Sequence, residues 1–244
     1  MRKWASVFVF ISLLAVSCDS VVNSKNEKVK GNGQVTSESR NAGGPFTGVS
    51  TLGNFNVYVS IGNTASVKIE GESNILPYIE TYVDKGSLMV RSKDNVSLNT
   101  DQPVKVYITA PAISKIYSKG LGDIVGQTPI TDASKIEIHL EGNGNADLDV
   151  DAPVVEAVVG GAGSIQLKGQ TKNLDCKLMG LGSLKALDLL TEETSVTILG
   201  QGGAEVNASV KLDITIAGSG NVKYKGNVTP TKTITGNGSI TQVQ

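Results

Sequence analysis

Residues 155–167 read VEAVVGGAGSIQL, residues 174–186 read LDCKLMGLGSLKA, and residues 194–206 read TSVTILGQGGAEV. Each window centres on a Gly-x-Gly triplet: Gly161-Ala162-Gly163, Gly180-Leu181-Gly182 and Gly200-Gln201-Gly202. The same triplet recurs outward in both directions, at Gly120-Leu121-Gly122, Gly142-Asn143-Gly144, Gly218-Ser219-Gly220 and Gly236-Asn237-Gly238. The first glycines are 22, 19, 19, 20, 18 and 18 residues apart. A fixed period near 19 residues, repeated seven times, marks a repeat architecture.

The flanks align without gaps. Two residues before the first glycine stand Ser118, Leu140, Val159, Leu178, Ile198, Ile216 and Ile234. Four before stand Ile116, Ile138, Ala157, Cys176, Val196, Ile214 and Lys232. Four after stand Ile124, Ala146, Ile165, Leu184, Ala204, Val222 and Ile240. Six after stand Gly126, Leu148, Leu167, Ala186, Val206, Tyr224 and Gln242. Apolar residues at every second position on both sides of a corner are strands with one face buried. The exceptions, Ser118, Gly126, Lys232 and Gln242, fall in the first and last units. The residue after each triplet (Asp123, Asn145, Ser164, Ser183, Gly203, Asn221, Ser239) is polar or glycine, which suits a tight corner. The glycines permit positive φ and close approach between stacked corners.

These columns predict a single-stranded, right-handed parallel β-helix of about seven Gly-x-Gly coils. The hand follows from the preference of crossover connections. Coils stacked at about 4.8 Å give a body roughly 34 Å long. A left-handed solenoid would carry a strict six-residue subperiod, which is not visible.

Residues 29–118 read as a more irregular, β-rich beginning of the same body, and residues 119–244 as the regular solenoid. Asn54–Ile61 and Ser66–Glu70 alternate as strands, and Gly62-Asn63 between them reads as a hairpin turn. Asn74–Val83 reads as a helical turn or two, while Leu88–Arg91 and Val104–Thr109 are further strands. An eighth triplet, Gly31-Asn32-Gly33, predicts an extra coil or an edge strand. Six aromatics, from Phe46 to Tyr107, predict a wider core in this part.

The N-terminus is an address. Arg2 and Lys3 precede a 13-residue, largely apolar run, Trp4–Val16. That is too short to span a bilayer and suits a signal-peptide core. It ends in Leu14-Ala15-Val16-Ser17-Cys18, which resembles a bacterial lipobox. Residues 1–17 are therefore expected to be removed and Cys18 to carry lipid, with residues 18–28 as a tether. The only other cysteine, Cys176, then has no disulfide partner within the chain and reads as a buried, inert thiol.

Composition excludes several functions. The net charge is −1, shifting to about −3 without Arg2 and Lys3, so the basic footprint of a nucleic-acid binder is missing. With His139 as the single histidine and two cysteines, no His- or Cys-rich metal centre can form. Glu137, His139 and Glu141, then Asp147, Asp149 and Asp151, are the best candidates for a paired-carboxylate glycosidase site. The solenoid lacks arginine, and its only aromatic after Tyr117 is Tyr224, so a solvated strand face is the reading preferred. Cross-coil neighbours such as Asp149 with Lys168, and Glu205 between Lys185 and Lys223, support it.

One column resists. Five residues before the glycine stand Glu137, Glu156 and Asp175, acids in three successive coils. Like charges so placed repel. A Ca²⁺ ion would relieve them, as would Lys115 or Lys177. In the last coil Pro230 and Lys232 occupy ladder positions, as edge protection or as the end contact of a homo-oligomer.

The Gly-x-Gly-Asp/Asn/Ser coils resemble the "head GIN domain" family of auto-transporter adhesins. So does the block Phe46-Thr47-Gly48-Val49, Val57-Tyr58-Val59, Asn74-Ile75-Leu76 and Gly86-Ser87-Leu88. The resemblance covers about residues 29–242. It implies a β-helix from Bacteroides-type bacteria, often a lipoprotein, with no catalytic residue and no cofactor to carry over. The chain shows no heptad stalk and no C-terminal barrel to anchor a trimer, and so departs from the trimeric-autotransporter pattern. The reading that results is a non-enzymatic lipoprotein of the cell envelope, held in the outer membrane and binding a glycan or protein surface. A polysaccharide-active enzyme and a periplasmic scaffold are the alternatives.

Overall fold

The computed structural model describes residues 26–244. The expected leader (1–17), Cys18 and most of the expected tether lie outside the described residues.

The chain opens with β1 (Glu27–Lys30) and β2 (Val35–Arg40). Then come β3 (Gly48–Leu52), β4 (Phe55–Ile61) and β5 (Ser66–Glu72). A single 3-10 turn, Leu76–Tyr78, leads into β6 (Ile79–Asp84), β7 (Ser87–Ser92), β8 (Val96–Asn99) and β9 (Val104–Ala110). The segment read as helical is thus one short turn followed by a strand. Strand β1 begins two residues inside the expected tether, because Glu27–Lys30 pair in parallel with β8.

The regular part is built from β10 (Lys115–Lys119), β11 (Ile124–Gly126), β12 (Ile130–Thr131), β13 (Lys135–Leu140), β14 (Ala146–Val159), β15 (Ser164–Leu178) and β16 (Ser183–Ile198). It closes with β17 (Gly203–Asn207), β18 (Lys211–Gly218), β19 (Asn221–Lys225), β20 (Thr231–Gly236) and β21 (Ser239–Gln242). All these strands pair in parallel, and the register reproduces the sequence columns. Ile116 lies beside Ile138, then Ala157, Cys176, Val196, Ile214 and Lys232. Ile124 lies beside Ala146, then Ile165, Leu184, Ala204, Val222 and Ile240. The result is a β-solenoid, with seven Gly-x-Gly corners bounding six turns. The 20-residue coil absorbs its extra residue as a bulge, where the register skips between Gln166 and Lys168.

The corner glycines are required by proximity rather than by φ. A Cβ on Gly142 would stand 1.9 Å from the carbonyl oxygen of Gly120, and one on Gly161 1.9 Å from that of Gly142. The same holds, between 1.9 and 2.5 Å, at Gly120, Gly122, Gly144, Gly163, Gly180, Gly182, Gly200, Gly202, Gly218, Gly220, Gly236 and Gly238. Among these fourteen, only Gly218 and Gly236 have positive φ.

The stack does not begin at the first triplet. Strands β3 and β4 pair with β10 and β11, and β7 and β9 pair with β3 and β4 on the other side. Gly120 stacks on Gly53, and Gly122 on Phe55. Gly53-Asn54-Phe55 is therefore a corner of the same kind, 67 residues before Gly120-Leu121-Gly122 in sequence. Ser118 is no end defect either: it is buried and accepts a hydrogen bond from Thr51 at 3.1 Å.

The segment Gly62-Asn63 is not a hairpin turn. Strand β9 stands between β4 and β5, parallel to the first and antiparallel to the second. Strands β2, β5 and β6 add antiparallel edges that close this end, β6 on β7 and β2 on β5. The Gly31-Asn32-Gly33 triplet forms no coil. Its Gly33 N–H donates to the buried Glu72 carboxylate at 2.5 Å, and the Asn32 N–H donates to Asn74 at 3.0 Å. The expected wider aromatic core is absent: Phe46 and Phe55 are buried, while Tyr58, Tyr78, Tyr82 and Tyr107 point outward.

Candidate functional site

Four arrangements on the outside of the stack combine side chains from several coils. The first is the acidic column. Register places Glu137 beside Glu156 and Glu156 beside Asp175. Lysines answer it. Lys135 Nζ lies 2.9 Å from Glu137 and 2.6 Å from Glu156; Lys177 lies 3.7 Å from Glu156 and 3.1 Å from Asp175. Lys115 closes the end, 3.3 Å from Glu137. Among the described residues no three His, Cys, Asp or Glu side chains are grouped to hold a metal ion.

Lys135 holds the Glu137 and Glu156 carboxyls below their ordinary range, against the desolvation of partial burial. The two carboxylates raise Lys135 in return. For a depressed carboxylate, the stabilisation is present above the unfolded pKa and is lost as pH falls through the folded value. For a raised lysine, it is present below the unfolded pKa and is lost as pH rises through the folded value. The ladder is therefore complete at neutral pH. We expect Lys135→Met to cost up to about 1 kcal/mol at pH 7, since the pairs are partly exposed. At about pH 2, well below the ordinary carboxylate range, the difference from the parent should shrink toward zero, because protonation of the depressed carboxyls removes the pairs. Urea titrations at the two pH values check this.

Second, the residues weighed as a paired-carboxylate site do not converge. Glu137, His139 and Glu141 project from β13 and its end, and Asp147, Asp149 and Asp151 from β14, with the Gly142–Gly144 corner between them. Glu141 accepts a hydrogen bond from Tyr117 at 2.5 Å, and burial together with this bond pushes the Tyr117 hydroxyl up to about 12. His139 is not an exposed strand residue. It is half-buried in a column between Tyr117 and Val158, and its Nε2 is buried without a hydrogen-bond partner. Cys176 is fully buried and desolvation pushes its thiol up, so it is unreactive.

Third, Tyr58 and Tyr107 stack on the outer face of β4 and β9, ring centroids 5.0 Å apart and planes 16° apart. Lys68 Nζ lies 5.8 Å from the centre of the Tyr107 ring. Beside them Lys105 pairs with Glu70 at 2.9 Å, and Ser60 donates to Gln127 at 3.0 Å. Sequence reasoning missed this array because its two rings are far apart in the chain. The alternation of β4 and β9 does put both tyrosines on the outward parity.

Fourth, the Gly-x-Gly edge carries exposed apolar side chains. Leu121, Met179, Leu181 and Leu199 are 51–65% exposed. Met179 and Leu199 stand just before their corners in adjacent coils, and the Met179 methyl lies over Gly160 in the coil before. The available signal was the middle triplet residue, leucine at 121 and 181 where other units have Asn143, Ala162, Gln201, Ser219 and Asn237.

Beside the acidic column, Thr47, Lys85, Ser87, Ser114, Lys115 and Lys135 line a shallow cleft. At its rim Lys85 has positive φ (47°) in the β6–β7 turn. No helix among the described residues is long and apolar enough to cross a membrane.

A family model described as "Putative auto-transporter adhesin, head GIN domain" matches residues 45–228, spanning both the irregular and the regular coils. Three solved structures share the fold. A "putative adhesin" from Bacteroides fragilis is 22% identical with a TM-score of 0.83, covering 88% of this chain and all of its own. A "putative lipid binding protein" from Parabacteroides distasonis is 23% identical, TM-score 0.75, covering 89% of this chain and all of its own. A "putative adhesin" from Parabacteroides merdae is 19% identical, TM-score 0.68, with the same coverage. No curated protein matches the sequence.

Proposed function

The chain belongs to the family described as "Putative auto-transporter adhesin, head GIN domain", and from that premise we propose that it is a lipid-anchored, non-catalytic binding protein of the cell envelope. Its lipid would sit on Cys18, in the outer membrane, and its outer faces would meet a glycan or protein surface. The observation that carries this reading is the straight registration of outward side chains across the coils. Columns such as Tyr107, Tyr58, Val125, Asp147, Gln166, Lys185, Glu205 and Lys223 are locked by the parallel ladders beneath them. A rigid surface loses little conformational freedom on binding, so many shallow contacts can add up. The naming of the family and of its structural relatives as adhesins supports the same reading. The separation of Glu137 from Asp147 by the corner disfavours a paired-carboxylate enzyme.

The anchor is tested by Cys18→Ser. The parent should partition into detergent and sediment with membranes, and take up a radiolabelled fatty acid. The variant should lose the label and remain with the leader uncleaved or be found in the soluble fraction. A processed, membrane-bound Cys18→Ser protein would refute lipid anchoring.

A further inference from the structure

We infer that the Gly-x-Gly edge of the solenoid is a lipid-facing edge, whose Met179, Leu181 and Leu199 side chains enter the surface of the bilayer that holds the anchor. The inference rests on the anchored reading proposed above.

Three observations carry it. First, the edge is uncharged over four successive coils. Residues 160–164, 179–183, 199–203 and 217–221 read GGAGS, MGLGS, LGQGG and AGSGN. At 4.8 Å per coil that strip is roughly 14 Å deep. Exposed apolar side chains grouped in this way mark an interaction surface. The opposite corner also exposes Leu190 and Val210, but these stand among Asp188, Glu192, Glu193 and Lys211.

Second, the edge is an outer corner: each triplet turns the chain between two buried ladders, and Leu181 at a middle triplet position, with Met179 and Leu199 just before theirs, stands exposed on it. A ridge of this shape cannot enclose a ligand and packs poorly against a second ridge of its own kind. A deformable bilayer surface accepts it, and the affinity grows with the apolar area inserted.

Third, the N-terminal end of the described chain is held on the same edge. In the outermost coil the corner between β7 and β9 is replaced by residues 93–103, which contain β8. Strand β8 pairs with β1, and Ser97 and Leu98 line a cleft with Gly53 and Asn54 of the neighbouring corner. The described chain therefore begins beside the Gly-x-Gly edge. An anchor at one end and an apolar strip further along would lay the stack lengthwise on the membrane.

The test uses the lipidated full chain, purified from membranes and reconstituted into phosphatidylcholine–phosphatidylglycerol vesicles with bromine on the upper acyl chains. Trp4, the only tryptophan, lies in the leader expected to be removed, so in the lipidated mature chain each probe is unique. The probes are Leu181→Trp and Leu199→Trp on the edge, and Leu190→Trp and Val210→Trp on the opposite corner. Unchanged thermal unfolding verifies that each folds. Loss of most of the emission at 181 and 199, with none at 190 and 210, is the result expected. Flotation with the vesicles but no quenching at 181 or 199 overturns the lipid-facing edge and leaves the anchor standing. Failure to float overturns the anchored reading, and the edge with it. Blue-shifted but unquenched edge probes, with a doubled mass in sedimentation, would assign the edge to a second copy of the chain and overturn the inference.

Discussion

Gly161→Ala is expected to destabilise the protein by about 3 kcal/mol, while Gly160→Ala, one residue earlier, is expected to leave stability within about 0.5 kcal/mol of the parent. Both residues lie at the same corner, and neither has positive φ. They differ in what a methyl group would meet. At position 161 it would stand 1.9 Å from the Gly142 carbonyl oxygen and 2.7 Å from its carbon, backbone atoms that cannot rotate away. At position 160 the nearest atoms are at 3.7 Å, an ordinary contact. Alanine also restricts the unfolded chain, which offsets any small cost at 160. For a chain of this length, the loss at 161 corresponds to a thermal midpoint lowered by roughly 6–12 °C. Equal melting temperatures for the two variants would refute close stacking as the reason for the triplets.

The second large effect concerns the apolar ladders. Ile198 and Ile234 occupy the same column, two residues before the corner, yet Ile198 is fully buried and Ile234 is 40% exposed. Ile198 lies between Leu178 and Ile216, whereas Ile234 has a coil on one side only among the described residues. Ile198→Ala removes methyl groups from a closed interior and should cost about 2–5 kcal/mol, depending on how far the neighbouring coils collapse. Ile234→Ala gives up only partly buried surface and should cost about 1 kcal/mol. Chemical denaturation of the two variants provides the comparison. A solenoid of near-independent coils predicts this inequality, because each unit draws its stability from the units beside it.

The regular half was legible because its physics is periodic. A buried ladder demands an apolar residue at the same offset in every coil, and a tight corner demands glycine where backbones touch. Both demands leave marks that one sequence can show. In the irregular half the chain lays down the middle coil (β3 and β4), then the outermost coil (β7 and β9), and only afterwards the next coil inward (β10 and β11). Local alternation in β4 and β5 is compatible with a hairpin, and nothing local reveals that β9 inserts between them. The Gly53-Asn54-Phe55 corner escaped notice because Phe55 takes the second glycine's place, with its side chain buried in the core.

The outer surface was legible only in part. Register fixed the acidic column of Glu137, Glu156 and Asp175, and the neighbouring lysines were visible in sequence. That Lys135, two residues before Glu137, supplies the shortest contact depends on how the side chains fold over the sheet. His139 looked exposed by parity, since outward residues usually are. Its neighbours Tyr117 and Val158 in adjacent coils half-bury it. The Tyr58–Tyr107 stack and the apolar corner edge belong to relations between coils rather than to any local motif.

The measurement that bears most directly on the proposed role is protease shaving of intact cells against lysed cells, read with an antibody to residues 119–244. An anchored binding protein displayed outside predicts cleavage of the coil stack on intact cells, while a periplasmic marker stays whole. Protection of the stack until lysis would contradict surface binding and leave an envelope scaffold facing the periplasm.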